Sequence, residues 1–117
     1  MKKNVFCFDL DNTLCITTKN NYLKSKPKKK IIKLVNELYN NGHIIKIFTA
    51  RYMGRNYDNI KNANKKAYKK TLKQINSWGL KFHKLFISKP SADIYIDDKA
   101  YGYSIKWTKD FKKYLKK

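Results

Sequence analysis

The sequence predicts a three-layer α/β domain, a parallel sheet of four to five strands flanked by helices, on three observations. Short apolar runs around Val5–Phe8, Ile44–Phe48, Leu85–Ile87 and Ile94–Ile96 have the length of buried strands. Two stretches of helical period lie between the first three runs. Strand, helix, strand, helix, strand implies parallel pairing with right-handed crossovers.

In chain order, the first strand is the run ending at Asp9, and Leu14 to Lys26 reads as a loop or small hairpin over its end. Pro27 suits the first turn of a helix. Ile31, Ile32, Leu34, Val35, Leu38 and Tyr39 give that helix its inner stripe, and Asn41-Gly42 ends it. The second strand is Ile44 to Thr49, rich in β-branched residues. A glycine-bearing loop, Arg51 to Asp58, leads into a second helix from about Asp58 to Trp78. Its inner residues are Ile60, Ala63, Ala67, Leu72, Ile75 and Trp78, and Gly79 closes it. Leu85 to Ser88 forms the third strand and Ile94 to Ile96 the fourth. A weak strand near Ser104 to Trp107 and a short helix from about Lys109 to Leu115 complete the chain.

All 117 residues fit one domain, and 42% hydrophobic with 15% aromatic residues is enough to fold. No run approaches the ~20 apolar residues of a membrane span. Met1-Lys2-Lys3 leads into the first strand without a signal-peptide core, so the expectation is a cytoplasmic protein with no membrane contact. Its two thiols are then free, Cys7 filling core and Cys15 lying in a loop.

The net charge is +20. A field of that size attracts polyanions, so nucleic acid is a candidate partner. Lys, Asn, Ile and Tyr rich together are also what an AT-rich coding sequence produces without selection for binding. Only Arg51 and Arg55 among the 28 basic residues are arginine. Arg offers a planar fork for bidentate oxyanion contacts that Lys lacks.

Four of the eight acids lie in two tight pairs, Asp9/Asp11 and Asp97/Asp98, each ending an apolar run. Strand residues two apart share a face, so Asp9 and Asp11 lie close together. Their repulsion calls for a proton or a cation between them. Turn chemistry accounts for Asp11-Asn12 but not for Asp9. Ligands of open parallel sheets bind beyond the carboxyl ends of the strands. Asp9, Thr49, Ser88-Lys89 and Asp97-Asp98 all fall at that edge.

Asp9-Leu10-Asp11-Asn12-Thr13, Thr49, Lys89 and Asp97-Asp98, in that order, resemble the four motifs of the haloacid dehalogenase superfamily. The text around Thr49-Ala50-Arg51 and Lys89-Pro90-Ser91 is similar to its small capless phosphatases, often tied to capsule or sugar biosynthesis. The resemblance implies a Rossmann-like sheet without a cap domain and a magnesium-dependent phosphomonoesterase. Asp9 would be the nucleophile that forms an aspartyl-phosphate, and Asp11 the general acid and base. Mg2+ would be held by Asp9, the Asp11 carbonyl and either Asp97 or Asp98. Thr49 and backbone amides at Asn12 and Thr13 would hold phosphoryl oxygens, and Lys89 would offset their charge.

Arg51 and Arg55 are then expected to contact a second anionic group of the substrate or its phosphate, and Tyr22 to pack on a sugar or base. His43 and His83 read as structural. The substrate is a small phosphorylated metabolite, a sugar phosphate or nucleotide. Phosphorylated nucleic-acid ends, and a non-catalytic basic module that binds nucleic acid, are the alternatives. An uncapped site admits bulky substrates or is closed by a second copy of the chain.

Overall fold

The computed structural model describes residues 3–52, 60–89, 92–94 and 98–115, with residues 60–67 described by backbone alone. Among the described residues five strands and three helices form: β1 (Val5–Asp9), β2 (Cys15–Ile16), β3 (Lys26–Pro27), α1 (Lys29–Asn40), β4 (Ile44–Phe48), α2 (Ile60–Ser77), β5 (Lys84–Phe86) and α3 (Trp107–Leu115). The main sheet is three-stranded and parallel in the order β1-β4-β5, with Phe6 opposite Ile45, Phe8 opposite Ile47 and Ile47 opposite Leu85. β2 and β3 pair antiparallel, so residues 14–26 do make a small hairpin, closed by a 3-10 turn at Tyr22–Lys24.

Period decides α1. Ile32, Leu34, Val35 and Leu38 are buried, and Ile31 and Tyr39 pack at their margin. Helix α1 stops at Asn41, and Gly42 takes φ +92°, a conformation that a Cβ disfavours. Gly79 does the same after α2 at φ +75°. Of the expected inner face of α2, Ile75 is fully buried and Leu72 and Trp78 pack against the core; the side chains of Ile60, Ala63 and Ala67 lie outside the description.

Parallel partners share a face, which sorts the sheet in two. Phe8, Ile45, Ile47 and Leu85 join Val35, Leu38, Ile75, Trp107 and Phe111 in one buried cluster. Phe6 and Phe8 meet α3 through Phe111 and Trp107, with centroids 5.3 and 6.3 Å apart. On the other face Val5 and Ile44 are 59% and 40% exposed. Among the described residues the helices enter the core from one side of a three-stranded parallel sheet, and neither a fourth strand of that sheet nor a third layer is seen. No cap domain is seen among them.

Other expectations change as well. Pro27 pairs with Cys15 in β3, and α1 begins two residues later. Ile94 belongs to no strand and is 77% exposed, while the rest of that expected strand lies outside the described residues. Ser104 to Trp107 is not a strand: the Trp107 amide closes on the Ser104 carbonyl and opens α3. The two thiols exchange places, Cys7 being exposed and Cys15 buried. Cys7 alternates with Phe6 and Phe8 and so turns to the uncovered face. The pairing of β2 with β3 folds Cys15 inward. No helix of the described residues is long and apolar enough to cross a membrane.

Both histidines are structural acceptors. His43 Nδ1 accepts from the Asn4 amide at 3.1 Å, and His83 Nδ1 accepts from the Ile45 amide at 3.0 Å. The His83 amide donates back to the Ile45 carbonyl at 2.8 Å, which extends the pairing of β4 toward β5.

Candidate active site

Strand β1 delivers Asp9 and then a tight turn. The Thr13 and Leu14 amides both close on the Leu10 carbonyl, at 3.2 and 2.9 Å. Asn12 sits at φ +62°, a conformation Asn tolerates, and its Oδ1 accepts from the Thr17 amide at 3.0 Å. The Thr13 amide is thus used inside the turn, and its hydroxyl donates to Asp9 Oδ2 at 3.1 Å.

From 80 residues away Lys89 brings its ammonium 3.2 Å from Asp9 Oδ1. The backbone just after β5 holds it there, since the Lys89 amide donates to the Thr49 carbonyl at 3.3 Å. Thr49 itself is buried beyond β4, and its amide donates to the Phe86 carbonyl.

Asp11 is the most heavily solvated by protein. Arg51 Nε donates to both its oxygens, at 3.1 and 3.0 Å, and Nη2 to Oδ1 at 2.9 Å. Thr17 Oγ1 donates to Oδ1 at 2.6 Å, and Thr49 Oγ1 reaches Oδ2 at 3.4 Å. Arg51 is 2% exposed. Its remaining donors go to Gln74 Oε1 at 2.6 Å on α2 and Ser25 Oγ at 3.4 Å. The Tyr22 ring lies 5.1 Å from the guanidinium carbon and meets Tyr52 edge-on. Gln74 Nε2 also donates to the Tyr22 carbonyl, which ties the hairpin to α2.

Asp9, Asp11, Thr13, Thr49, Arg51 and Lys89 therefore converge at one strand edge. The Arg51 fork closes on the chain's own Asp11, and Tyr22 lies against that fork. Asp98 is exposed, while Arg55 and Asp97 lie outside the described residues. Among the described residues no group of three or more His, Cys, Asp or Glu is arranged to hold a metal.

The sequence reading missed Thr17, Ser25 and Gln74, because neutral polar residues carry no pattern. It also missed Lys28 and Tyr103. Lys28 Nζ and the Tyr103 hydroxyl both donate to the Asn12 carbonyl at 3.2 Å, on the rim of the turn.

Burial pushes the Cys15 thiol above its ordinary range. The Thr17 hydroxyl and the Arg51 charge act against the rise, and Asp11 adds to it.

A crystal structure of a structural-genomics target from Vibrio cholerae is similar to this chain at TM-score 0.78 and 23% identity, over 97% of this chain and 99% of that one. At that identity the likeness shows the fold alone. No family model matches the chain, and no curated protein matches it.

Proposed function

We propose that the chain is a magnesium-dependent phosphomonoesterase on a capless scaffold like that of the haloacid dehalogenases, acting on a small phosphorylated metabolite through an aspartyl-phosphate at Asp9. One observation carries the reading: the Lys89 ammonium lies 3.2 Å from the Asp9 carboxylate at the carboxyl edge of a parallel sheet. A half-buried structural ion pair with a single short contact contributes little to stability, so a pair held by the backbone at this edge is better explained by chemistry on a third, anionic group.

Asp9 attacks phosphorus, and Lys89 offsets the charge that the transferring group brings. Asp11 gives a proton to the departing oxygen and takes one from the water that cleaves the Asp9 acyl phosphate. Oδ1 of Asp11 is held by three donors at 3.1 Å or less, whereas Oδ2 has one at 3.0 Å and the distant Thr49 hydroxyl. Oδ2 is therefore the less occupied Asp11 oxygen and the one through which a proton would pass. Arg51 acts on the reaction through Asp11 as a positioning residue.

A hard cation would be held through oxygens, those of Asp9, the Asp11 carbonyl and a carboxylate of Asp97 or Asp98. Magnesium supplies, when bound, neutralisation of the phosphoryl oxygens.

The test is hydrolysis of an aryl phosphate with and without magnesium. The parent protein is expected to turn over only with the metal. Asp9→Asn is expected to lower the rate on the order of 10⁴-fold or more, as removal of other enzymatic nucleophiles does. A fully active Asp9→Asn variant would end this reading.

A further inference from the structure

Parallel sheets are ordinarily covered on both faces. The second face of this one is built in rows fixed by register: Asp9, Phe48 and Phe86 at the carboxyl end, Cys7, Lys46 and Lys84 behind them, and Val5 beside Ile44. Val5, Cys7, Ile44 and Lys84 are exposed, and Lys46, Phe48 and Phe86 are half-buried. The Lys46 and Lys84 ammonium groups lie 5.9 and 5.0 Å from the centre of the Phe86 ring. Phe48 and Phe86 meet edge-on at 6.2 Å. An exposed face of rings and lysines on a sheet of this type calls for an occupant.

We propose that this uncovered face binds a single-stranded nucleic acid, with bases against Phe48 and Phe86 and phosphates on Lys46 and Lys84. Charge selects the occupant. A second copy meeting this face through a two-fold axis would bring lysine rows toward lysine rows, and like charges across an interface oppose association. A polyanion instead finds two ammonium groups beside the Phe86 ring, which meets Phe48 edge-on, on a chain of net charge +20. Aromatic rings flanked by cations suit unpaired bases because every base has a face to stack. The inference goes beyond the phosphatase reading and does not depend on it, since it asks no chemistry of Asp9.

The native thiols locate the binding without substitution, because Cys7 lies in the lysine row and Cys15 is buried. Binding of a labelled oligothymidine of about fifteen residues to the full chain is followed by anisotropy, and alkylation of Cys7 by N-ethylmaleimide is timed with and without it. Saturating oligonucleotide is expected to slow Cys7 alkylation roughly fivefold or more; an unchanged rate at saturation places binding elsewhere and overturns the proposal. Alkylation that slows with protein concentration and not with oligonucleotide identifies a second copy as the occupant, which also overturns it.

The charge reversal Lys46→Glu/Lys84→Glu is expected to weaken binding at least about tenfold, against about threefold for the matched pair Lys30→Glu/Lys33→Glu on α1. Equal losses would mean that net charge alone is being read. Phe86→Leu, which keeps the face apolar, is expected to weaken binding about fivefold with the salt dependence unchanged. Undiminished affinity there removes the stacking role.

Discussion

Asp9 and Asp11 stand two residues apart at the end of β1, and each meets a cation from a distant part of the chain, yet the two pairs are buried to different degrees. The Lys89 and Asp9 side chains are 18% and 38% exposed; those of Arg51 and Asp11 are 2% and 20% exposed. Lys89 Nζ donates to Asp9 Oδ1 at 3.2 Å and lies 6.0 Å from the centre of the Phe48 ring. Arg51 makes three contacts with Asp11 and two more with Gln74 and Ser25. Water screens the first pair and can replace either partner. It cannot do so for the second, where losing one ion leaves the other stranded. The contrast suits the proposed division of labour, in which a site needs one carboxylate free to react and another held in place.

Arg51→Met is the sharpest way to break the contrast, because it strands Asp11 beside buried Gln74 and Ser25 contacts. It is expected to cost about 3–5 kcal/mol in urea denaturation. The double variant Arg51→Met/Asp11→Leu is expected to recover part of that loss, since it removes the unpaired charge as well. A double variant as unstable as the sum of its parts would mean that Arg51 stabilises through packing rather than through Asp11.

Lys89→Met probes the other side. Its stability is expected to stay within about 1 kcal/mol of the parent, because the pair is only half-buried and makes one short contact. Aryl phosphate hydrolysis is expected to fall about 10²- to 10³-fold, the scale of losing one group that stabilises developing charge. A stability loss as large as that of Arg51→Met would erase the distinction between the pairs.

Much of this edge was legible because strand ends and helix periods are written locally. The Ile44 to Phe48 run, the α1 stripe and the Asn41-Gly42 stop all depend on neighbours within a few residues. The scarcity of arginine marked Arg51 for a bidentate contact, and the structure makes one, to Asp11. Which oxyanion would receive the fork was not legible, since a separation of 40 positions gives no register. The faces of β1 were hidden for a related reason. Val5, Phe6, Cys7 and Phe8 read as one apolar run, and only the pairing of Phe6 with Ile45 and Phe8 with Ile47 shows that Cys7 turns the other way. Ile94, the described residue of the expected fourth strand, is exposed and outside any strand, because an apolar residue type does not by itself supply a pairing partner.

The smallest expected effect concerns Cys15, whose sulfur lies 3.7 Å from Asp11 Oδ1 and 3.9 Å from Arg51 Nη2, inside the buried half of the comparison. Burial raises its thiol, so the folded chain keeps this proton at a pH where the unfolded chain has released it. The stability that this contributes is full below the thiol's unfolded value of about 8.5 and is lost as pH rises through the higher folded value. Every other group that titrates at alkaline pH is common to the parent and to a variant lacking only this sulfur. The comparison with Cys15→Ala therefore isolates the sulfur. The parent is expected to lose stability to urea more steeply than Cys15→Ala as pH is raised above neutral, with both m-values unchanged. Parallel curves would show that the thiol ionises as easily in the folded chain as in the unfolded one. The surroundings shared by Cys15, Asp11 and Arg51 would then be as wet as those of Asp9 and Lys89, and the difference between the two ion pairs would disappear with them.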